Sequence, residues 1–335
     1  MNGLLNIQML TVELPTAAGW VRPVNQVSLR VRAGECVGLV GESGSGKTML
    51  SLALMGLLPT GAKVQGEVLL DGQVEGKEAT DSGKAVGQGT KNLACLGERQ
   101  WRRVRGREIA MIFQEPMTSL NPVMRIGQQV EEAVLAHEPE MTHEQVHRRM
   151  IAAFEQAAIP EPQQRAQQFP HQLSGGLRQR AMIAMALAAR PRLLIADEPT
   201  TALDVTVQKQ ILDLLDRLRR DMRLGMLFIT HDLGVVAKVS DRVAVMYAGR
   251  IIEEGPAEKV LRRPSHPYTQ GLLVASPRLE RGQMKPIPGS VPQLTALPPG
   301  CAFAPRCERW REECDRALPA FRPEASDHQA RCVLL

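Results

Sequence analysis

Apolar and polar residues alternate over much of the first forty positions, which is the period of a half-buried β-strand. The alternation covers Leu5, Ile7, Met9 and Thr11, and it returns at Val27, Leu29 and Val31. A short apolar run, Cys36–Val40, then leads into a glycine-rich stretch. Residues 4–40 are therefore predicted to be rich in β-strand.

Further along the chain, short apolar runs alternate with segments of helical period. The predicted strands are residues 109–114, 193–196 and 226–230, and the predicted helices are residues 47–58, 175–190 and 205–220. Strands that alternate with helices along a chain indicate a parallel sheet with helices packed on it.

Three other segments differ from this alternation. Residues 64–74 are predicted to form a hairpin arm with a turn signal at Asp71-Gly72. Residues 74–100 are rich in Gly, Lys, Thr and Ser, and we expect a long surface insertion there. Residues 126–168 are polar with periodic apolar positions, which predicts a helical subdomain extending to about residue 180.

Length and composition bound the number and kind of domains. A chain of 335 residues exceeds one ordinary core, and no internal repeat is evident. Proline and cysteine density rises after about residue 264 while the periodicity fades. We expect one large domain over residues 1–263 and a small extension over residues 264–335. The mild net charge of +5, without a long basic run, is weak support for nucleic-acid binding.

The sequence predicts no membrane-spanning segment. The first eleven residues lack the basic head and apolar stretch of a signal peptide. The longest unbroken apolar run, residues 181–189, is far shorter than the ~20 residues that a spanning helix needs. We therefore expect a cytosolic chain that works at a membrane only by docking onto other proteins.

A glycine-rich loop follows the strand Cys36–Val40 and opens a helix. It reads Gly41, Glu42, Ser43, Gly44, Ser45, Gly46, Lys47 and Thr48, which matches G-x-x-x-x-G-K-[ST]. In such a loop backbone N–H groups converge on phosphate oxygens, Lys47 reaches the β- and γ-phosphates, and the Thr48 hydroxyl binds Mg²⁺. Because the strand–loop–helix context is present, ATP binding is favoured over a plain glycine-rich turn with a surface lysine.

Two acids follow the apolar strand predicted at residues 193–196. Asp197 and Glu198 would lie at the carboxyl edge of the sheet, where ligands bind in α/β folds. Asp197 is predicted to hold Mg²⁺ directly or through water, and Glu198 to polarise the attacking water as general base. A solvated turn is the alternative, and the phosphate loop upstream disfavours it.

Four further motifs occur in order around these two. They are Gln114 in Ile112-Phe113-Gln114-Glu115-Pro116, Leu173-Ser174-Gly175-Gly176-Leu177-Arg178-Gln179-Arg180, Thr201-Ala202-Leu203-Asp204, and His231 after Phe228-Ile229-Thr230. Together the six elements resemble the nucleotide-binding subunit of ABC transporters over residues 4 to about 260. The resemblance implies a P-loop NTPase fold of class α/β, with a RecA-like parallel sheet core, an antiparallel β subdomain, a helical subdomain and a small Cys-rich extension.

The resemblance also implies roles for these residues. Ser174, Gly175 and Gly176 would grip the γ-phosphate held by the opposite subunit, so that two subunits enclose two nucleotides. Gln114 would bind Mg²⁺ and sense the γ-phosphate, and His231 would donate a hydrogen bond to it. Asp204 is placed among the nucleotide-binding residues. Trp20 is the candidate for stacking on adenine, with a plain surface tryptophan as the alternative.

Two segments resemble the ATPase subunits of peptide and nickel importers. They are His266-Pro267-Tyr268-Thr269 with Gly271-Leu272-Leu273, and Thr118-Ser119-Leu120-Asn121-Pro122. The resemblance implies an ATPase that powers import of dipeptides or oligopeptides, peripheral at the cytoplasmic face of the plasma membrane. Its implied partners are a second, homologous ATPase in a heterodimer, two membrane permeases and an extracytoplasmic solute-binding protein, with no nucleic acid.

Other functions stay open at this point. Nickel chelates, glutathione and opines are alternative solutes, because the solute is chosen mainly by the permeases and the binding protein. A soluble ABC ATPase acting on the ribosome or on nucleic acid is an alternative of another class. Such proteins usually carry two fused cassettes or a long coiled coil, and neither is evident here. The intact Glu198, His231 and Ser174 disfavour a weakly hydrolysing regulatory subunit.

Four cysteines lie in the last 35 residues, with the spacing C-x5-C-x6-C-x17-C. They are Cys301, Cys307, Cys314 and Cys332. Four thiolates can hold zinc or an iron–sulfur cluster, although this spacing lacks the C-x2-C pairs of most zinc sites. The resemblance suggests a 4Fe-4S cluster, with zinc as the alternative metal and buried structural thiols as the alternative without metal.

Overall fold

The computed structural model describes residues 3–17, 19–71, 90–201, 203–276, 286–325 and 327–335. The chain divides into two compact units. The first unit comprises Met1–Arg32, Cys36–Leu96 and Phe228–Leu335, and the second comprises Ala33–Glu35 and Gly97–Leu227. Each unit is described by itself below.

Twelve strands occur in the described residues. They are β1 (Leu5–Thr16), β2 (Gly19–Val31), β3 (Cys36–Val40), β4 (Lys63–Asp71), β5 (Thr90–Asn92), β6 (Ile109–Ile112), β7 (Leu193–Asp197), β8 (Gly225–Thr230), β9 (Arg242–Tyr247), β10 (Arg250–Pro256), β11 (Arg322–Ala325) and β12 (His328–Ala330).

Twelve α-helices accompany them in the same residues. They are α1 (Lys47–Leu54), α2 (Glu98–Val104), α3 (Pro116–Ser119), α4 (Ile126–Leu135), α5 (His143–Gln156), α6 (Pro162–Ala166), α7 (Gly175–Leu187), α8 (Val205–Met222), α9 (Leu233–Val239), α10 (Ala257–Arg262), α11 (Pro267–Val274) and α12 (Glu313–Arg316). Short 3₁₀ helices cover Leu93–Cys95, Pro170–Gln172 and Ala304–Arg306.

An antiparallel sheet with strand order β2-β1-β4-β5 forms one part of the first unit. Leu5 pairs with Val31 on one side and with Leu70 on the other, and all three side chains are buried. The strand-rich region predicted from the alternation at residues 4–40 is confirmed, because β1, β2 and β3 fill most of it. This sheet is the predicted antiparallel β subdomain.

A second set of strands in the first unit carries the phosphate loop and the extension at residues 264–335, called the tail below. β3 pairs with β9 in parallel, and β9 forms a hairpin with β10. The turn of that hairpin contains Ala248 and Gly249, both at positive φ, the conformation that tight hairpin turns require. The C-terminal strands continue the order, since β12 pairs with β10 and β11 pairs with β12.

The second unit contains a parallel strand pair and most of the helices. β6 and β7 pair in parallel, with Ile109 opposite Leu193, and both strands are buried throughout. α4 to α7 form the predicted helical subdomain, and α8 buries one face through Ile211, Leu215 and neighbouring leucines. The parallel sheet core predicted from the strand–helix alternation is confirmed.

Two predictions lie partly or wholly outside the described residues. β4 is the near half of the predicted hairpin arm, but the turn signal reaches Gly72, which lies outside them. Of the predicted surface insertion, residues 74–89 lie outside, while residues 90–100 form β5, a 3₁₀ turn and the start of α2. No helix within the described part of the chain is long and apolar enough to cross a membrane.

Candidate functional site

The glycine-rich loop at residues 41–48 has a backbone that only glycine tolerates at its key positions. Gly44 and Gly46 have φ values of 79° and 107°, in the left-handed region that favours glycine. A Cβ at Gly46 would lie 2.0 Å from the Pro23 carbonyl oxygen, and one at Gly41 would lie 2.2 Å from that of Met246. Around Gly44 a Cβ would meet nothing within 4 Å. The loop is therefore packed against backbone at its two ends and open at its centre.

Lys47 begins α1 and its side chain folds back across the loop. Nζ donates hydrogen bonds to the carbonyl oxygens of Gly41 (2.7 Å) and Glu42 (2.9 Å) and to Ser45 Oγ (3.3 Å). The residue is only 6% exposed, whereas Ser43, Gly44 and Thr48 are exposed. A glycine-rich loop, a helix N-terminus and an ammonium group thus occur together in one short segment, and this donor set fits the oxygens of a polyphosphate.

Two residues of the C-terminal tail contact this loop, and sequence reasoning gave neither of them a role at it. The Glu42 backbone N–H donates to the Tyr268 hydroxyl at 2.8 Å, and Arg306 forms an ion pair with the Glu42 carboxylate at 2.8 Å. The first contact joins residues 226 positions apart in sequence and the second joins residues 264 positions apart, so no local pattern indicates them. They become visible only once the tail is folded.

The acidic pair lies where β7 ends, as predicted. Asp197 is the last residue of the strand and is 2% exposed, and Glu198 follows with φ at 46°. A non-glycine residue in this region is strained, and such strain clusters at functional sites. The Glu198 Oε2 atom accepts hydrogen bonds from Gln114 Nε2 (3.3 Å) and from Thr201 Oγ1 (2.9 Å).

The fold therefore brings together two motifs that are 84 residues apart in sequence, Gln114 after β6 and Glu198 after β7. They meet because β6 and β7 are parallel neighbours whose carboxyl ends share one edge. The Thr201 hydroxyl bond to Glu198 was missed from the sequence, where Thr201 entered only as part of a motif.

The Ser174-Gly175-Gly176 segment begins α7. The Ser174 side chain caps the helix by accepting the Leu177 N–H at 3.3 Å, and Ser174 and Gly175 are exposed. A Cβ at Gly176 would lie 2.8 Å from Val207 Cγ1, whereas one at Gly175 would meet only Leu203 Cδ2 at 3.7 Å. This helix start presents N–H groups and a hydroxyl to solvent, the donors that bind anions at helix N-termini.

Asp204 and His231 stand at the starts of α8 and α9. The Asp204 carboxylate caps α8 by accepting the Val207 N–H at 2.9 Å. His231 is exposed between β8 and α9, and the next residue, Asp232, caps α9 by accepting the Gly234 N–H at 2.8 Å. The cap fixes the backbone that carries the imidazole.

Trp20, the predicted adenine-stacking residue, lies at the start of β2 and is 47% exposed. The ammonium of Lys63 lies 3.9 Å from its ring centroid, which is a cation–π contact. The ring is thus accessible, but a lysine already covers one part of it.

The prediction of an iron–sulfur cluster is wrong. All four tail cysteines line one cavity in the first unit, and none forms a disulfide. Within the described ranges, however, no group of three or more Cys, His, Asp or Glu side chains could hold a metal ion, which leaves the zinc alternative without a site as well. Burial raises the pKa of Cys301 to about 11 and also raises the pKa values of Cys307 and Cys332, so the uncharged thiol is favoured over the metal-binding thiolate.

Comparison with known families agrees with this geometry. Residues 24–201 match the ABC transporter family, and because the match spans more than half of the chain, this protein belongs to that family. Residues 252–314 match the C-terminal region of oligopeptide and dipeptide transporters, which narrows the class to the ATP-binding chains that carry this region.

Curated relatives align over nearly the whole chain. A putative peptide import ATP-binding protein of Brucella ovis is 48% identical over 98% of this chain and 96% of its own length. The oligopeptide transport ATP-binding protein OppD of Salmonella typhimurium is 46% identical over 96% of this chain and 92% of its own length. The dipeptide transport ATP-binding protein DppD of Bacillus subtilis is 44% identical over 100% of this chain and 95% of its own length.

Solved structures of ATP-binding cassettes share the fold. One is a dimeric cassette in a post-hydrolysis state bound to ADP and Pi, with a TM-score of 0.62 and 26% identity over 76% of this chain and 98% of that one. Another is a dimeric bacterial ABC transporter cassette with a TM-score of 0.63 and the same identity and coverage. The predicted family, fold class and ATPase class are confirmed.

Proposed function

We propose that this chain hydrolyses ATP to power the import of dipeptides or oligopeptides. The relatives named for peptide import align over nearly its whole length, and the C-terminal match is to the oligopeptide and dipeptide transporters. The observation that carries hydrolysis is the Glu198 carboxylate, which is fixed at the end of β7 by Gln114 and Thr201.

In this proposal the loop from Gly41 to Thr48 holds the ATP phosphates. Backbone N–H groups of the loop and the Lys47 ammonium bind the phosphate oxygens, and Lys47 exchanges its bonds to Gly41 and Glu42 for them. Thr48, Asp197 and Gln114 would each supply Mg²⁺ with an oxygen ligand of the kind that the ion prefers. Trp20 stacks on the adenine.

Glu198 acts as the general base that accepts a proton from the attacking water. Gln114 and Thr201 both donate to Oε2, which fixes the carboxylate in one orientation, and a positioned base contributes about 10²–10⁴-fold to such a reaction. His231 donates a hydrogen bond to the γ-phosphate and so stabilises the charge that develops there.

The exposed start of α7 completes the nucleotide site of a second ATPase subunit. Ser174, Gly175 and Gly176 carry no positively charged side chain, and Ser174, Gly175 and Asp204 are exposed. We propose that the second subunit is a homologue, that two membrane permeases and an extracytoplasmic binding protein complete the importer, and that the chain lies peripherally at the cytoplasmic face. We also propose that the cassette covers residues 1–263 and the extension residues 264–335.

Glu198→Gln tests the catalytic assignment. The amide keeps the shape but accepts no proton, so ATP hydrolysis by the purified transporter should fall by about 10²–10⁴-fold while ATP still binds. The matched control is Glu140→Gln, an exposed acid in the loop before α5, which should hydrolyse ATP at the wild-type rate. Hydrolysis by the Glu198 variant within a factor of a few of wild type would remove Glu198 from the role of base.

A further inference from the structure

Arg306, in the tail, makes a fork-shaped ion pair with an acid inside the phosphate loop. Its Nη1 lies 2.8 Å from Glu42 Oε2, and its Nη2 lies 3.1 Å from Glu42 Oε1. The guanidinium side chain is only 5% exposed, while that of Glu42 is 29% exposed. A two-bond fork between guanidinium and carboxylate fixes both position and orientation.

The rest of the guanidinium is held by two carbonyls of the tail and by a tyrosine of β9. Nε donates to the Pro288 carbonyl at 2.8 Å, Nη2 to the Ile287 carbonyl at 3.3 Å, and Nη1 to the Tyr247 hydroxyl at 3.3 Å. The hydrogen bond to Glu42 raises the pKa of this guanidinium further above its usual value, so it stays charged. Arg306 is therefore a fixed positive charge and not a mobile surface side chain.

Tyr268 makes a second contact from the tail to the same loop residue. Its hydroxyl accepts the Glu42 backbone N–H at 2.8 Å, and its ring is fully buried. The ring packs against Tyr247 and Phe303, at centroid distances of 4.5 and 5.4 Å. Only two tyrosines occur in a chain poor in aromatic residues, and both lie in this cluster behind the loop.

The chemistry of the loop explains why Glu42 needs such a partner. ATP brings a concentration of negative charge to the loop, and an unpaired carboxylate within it would repel the phosphates. Lys47 also donates to the Glu42 carbonyl, so the backbone at this residue touches the main phosphate-binding side chain. Glu42 is thus the point at which the tail can set both the charge and the shape of the loop.

We propose that Arg306 and Tyr268 are positioning residues of the phosphate loop, which hold Glu42 neutralised and fixed so that the loop binds ATP tightly. The inference rests on the proposed role of the loop in ATP binding. It assigns the tail a part in nucleotide binding and not only in packing.

The test measures binding of a fluorescent ATP analogue and the KM and kcat for ATP, using the full chain. Arg306→Gln leaves a bare carboxylate in the loop and should weaken ATP binding roughly tenfold, with KM rising more than kcat falls. Adding Glu42→Gln to that variant removes the unpaired charge and should restore binding to within roughly threefold of wild type. A purely structural role predicts no such rescue.

Three further variants keep the test decisive. Tyr268→Phe keeps the ring, removes the acceptor of the Glu42 N–H, and should weaken ATP binding roughly threefold. Arg306→Lys keeps the charge without the fork, gives an intermediate loss, and replaces Arg306→Gln if that variant fails to fold. Arg311→Gln, an exposed arginine of the same segment, should bind like wild type.

The outcomes separate this inference from the proposed function. If the wild-type chain binds no ATP analogue, the proposed function itself fails. If the wild type binds but the Arg306 and Tyr268 variants bind equally well, the positioning role is overturned. It is also overturned if the double variant binds as weakly as Arg306→Gln alone.

Discussion

The starts of α1 and α7, both assigned to nucleotide phosphates in the proposed function, are built differently. α1 follows a loop whose ends pack against the backbone carbonyls of Pro23 and Met246, and it carries the buried ammonium of Lys47. α7 begins at the exposed Ser174 and Gly175, with a serine cap and no lysine in the turn. The first start has an ammonium that folds across its own loop, while at the second start the Arg178 guanidinium, in the first turn, donates to the Pro170 carbonyl at 2.8 Å.

This difference indicates that the two helix starts have different roles in nucleotide binding. A site with an ammonium and a glycine cradle binds polyphosphate by itself, because charge and N–H donors converge on it. A helix start without a glycine cradle or an ammonium folded across it is suited to complete the site of a nucleotide that is already bound elsewhere. The proposed pairing of two ATPase subunits uses the two starts in these two ways.

The largest expected effect tests the charge at α1. Lys47→Ala removes the ammonium that faces the phosphates, and ATP hydrolysis should fall by about 10²–10³-fold because no other loop side chain replaces it. Lys209→Ala, at an exposed lysine of α8, is the matched control and should hydrolyse ATP normally. Normal hydrolysis by the Lys47 variant would show that the Lys47 charge does not distinguish the function of the α1 start from that of the α7 start.

The next effect tests the rigidity of the two starts through thermal unfolding. Gly46→Ala forces a Cβ against the Pro23 carbonyl at a φ of 107°, strain of about 1–3 kcal/mol before any overlap is counted, and should lower the melting temperature by roughly 5 °C or more. In Gly175→Ala the new Cβ would meet only Leu203 Cδ2 at 3.7 Å, so the melting temperature should change by less than roughly 2 °C. Equal shifts would mean that the α1 loop is no more constrained than the α7 start.

A third prediction concerns the region behind the phosphate loop and the pH dependence of its stability. Burial lowers the pKa of His266 to about 4, and neutral Nδ1 accepts the Tyr268 N–H at 3.0 Å. Because the imidazole of the unfolded chain binds a proton at its ordinary pKa of about 6.5, neutral His266 contributes fully to the free energy of unfolding above that pH. This contribution is lost as the pH falls towards 4. The free energy of unfolding changes by at most about 1.4 kcal/mol per pH unit from this group.

His266→Asn isolates this contribution, because asparagine caps α11 without titrating in that range. Urea unfolding of wild type and variant between pH 7 and pH 4 should show a steeper loss of stability in the wild type. Parallel curves for the two proteins would show that His266 does not link acid to the region behind the loop. The serine cap of α7 carries no titrating group and should add no comparable slope.

The parts of the site that the sequence predicts are those fixed by local backbone geometry. The residue types from Gly41 to Thr48 dictate a cradle, and a buried strand that ends in Asp197 and Glu198 places acids at a sheet edge. The contact of Arg306 with Glu42 spans 264 residues and depends on how the tail folds, so no local pattern indicates it.

The four tail cysteines show what a sequence pattern cannot determine. The spacing of four cysteines correctly suggests that they gather, since all four line one cavity. Spacing does not determine whether side chains converge on one point or whether thiols ionise, and there the metal prediction was wrong. The Thr201 bond to Glu198 is similar, because it depends on the strained turn after β7.

Uptake of a radiolabelled dipeptide by proteoliposomes shows whether this chain powers peptide import. The vesicles would contain this chain with two membrane permeases and a homologous partner ATPase, ATP inside, and the solute-binding protein outside. We expect ATP-dependent dipeptide uptake that Glu198→Gln abolishes and Glu140→Gln leaves intact. Uptake of nickel chelates, glutathione or opines in place of peptides, or peptide uptake unaffected by Glu198→Gln, would contradict the proposed function.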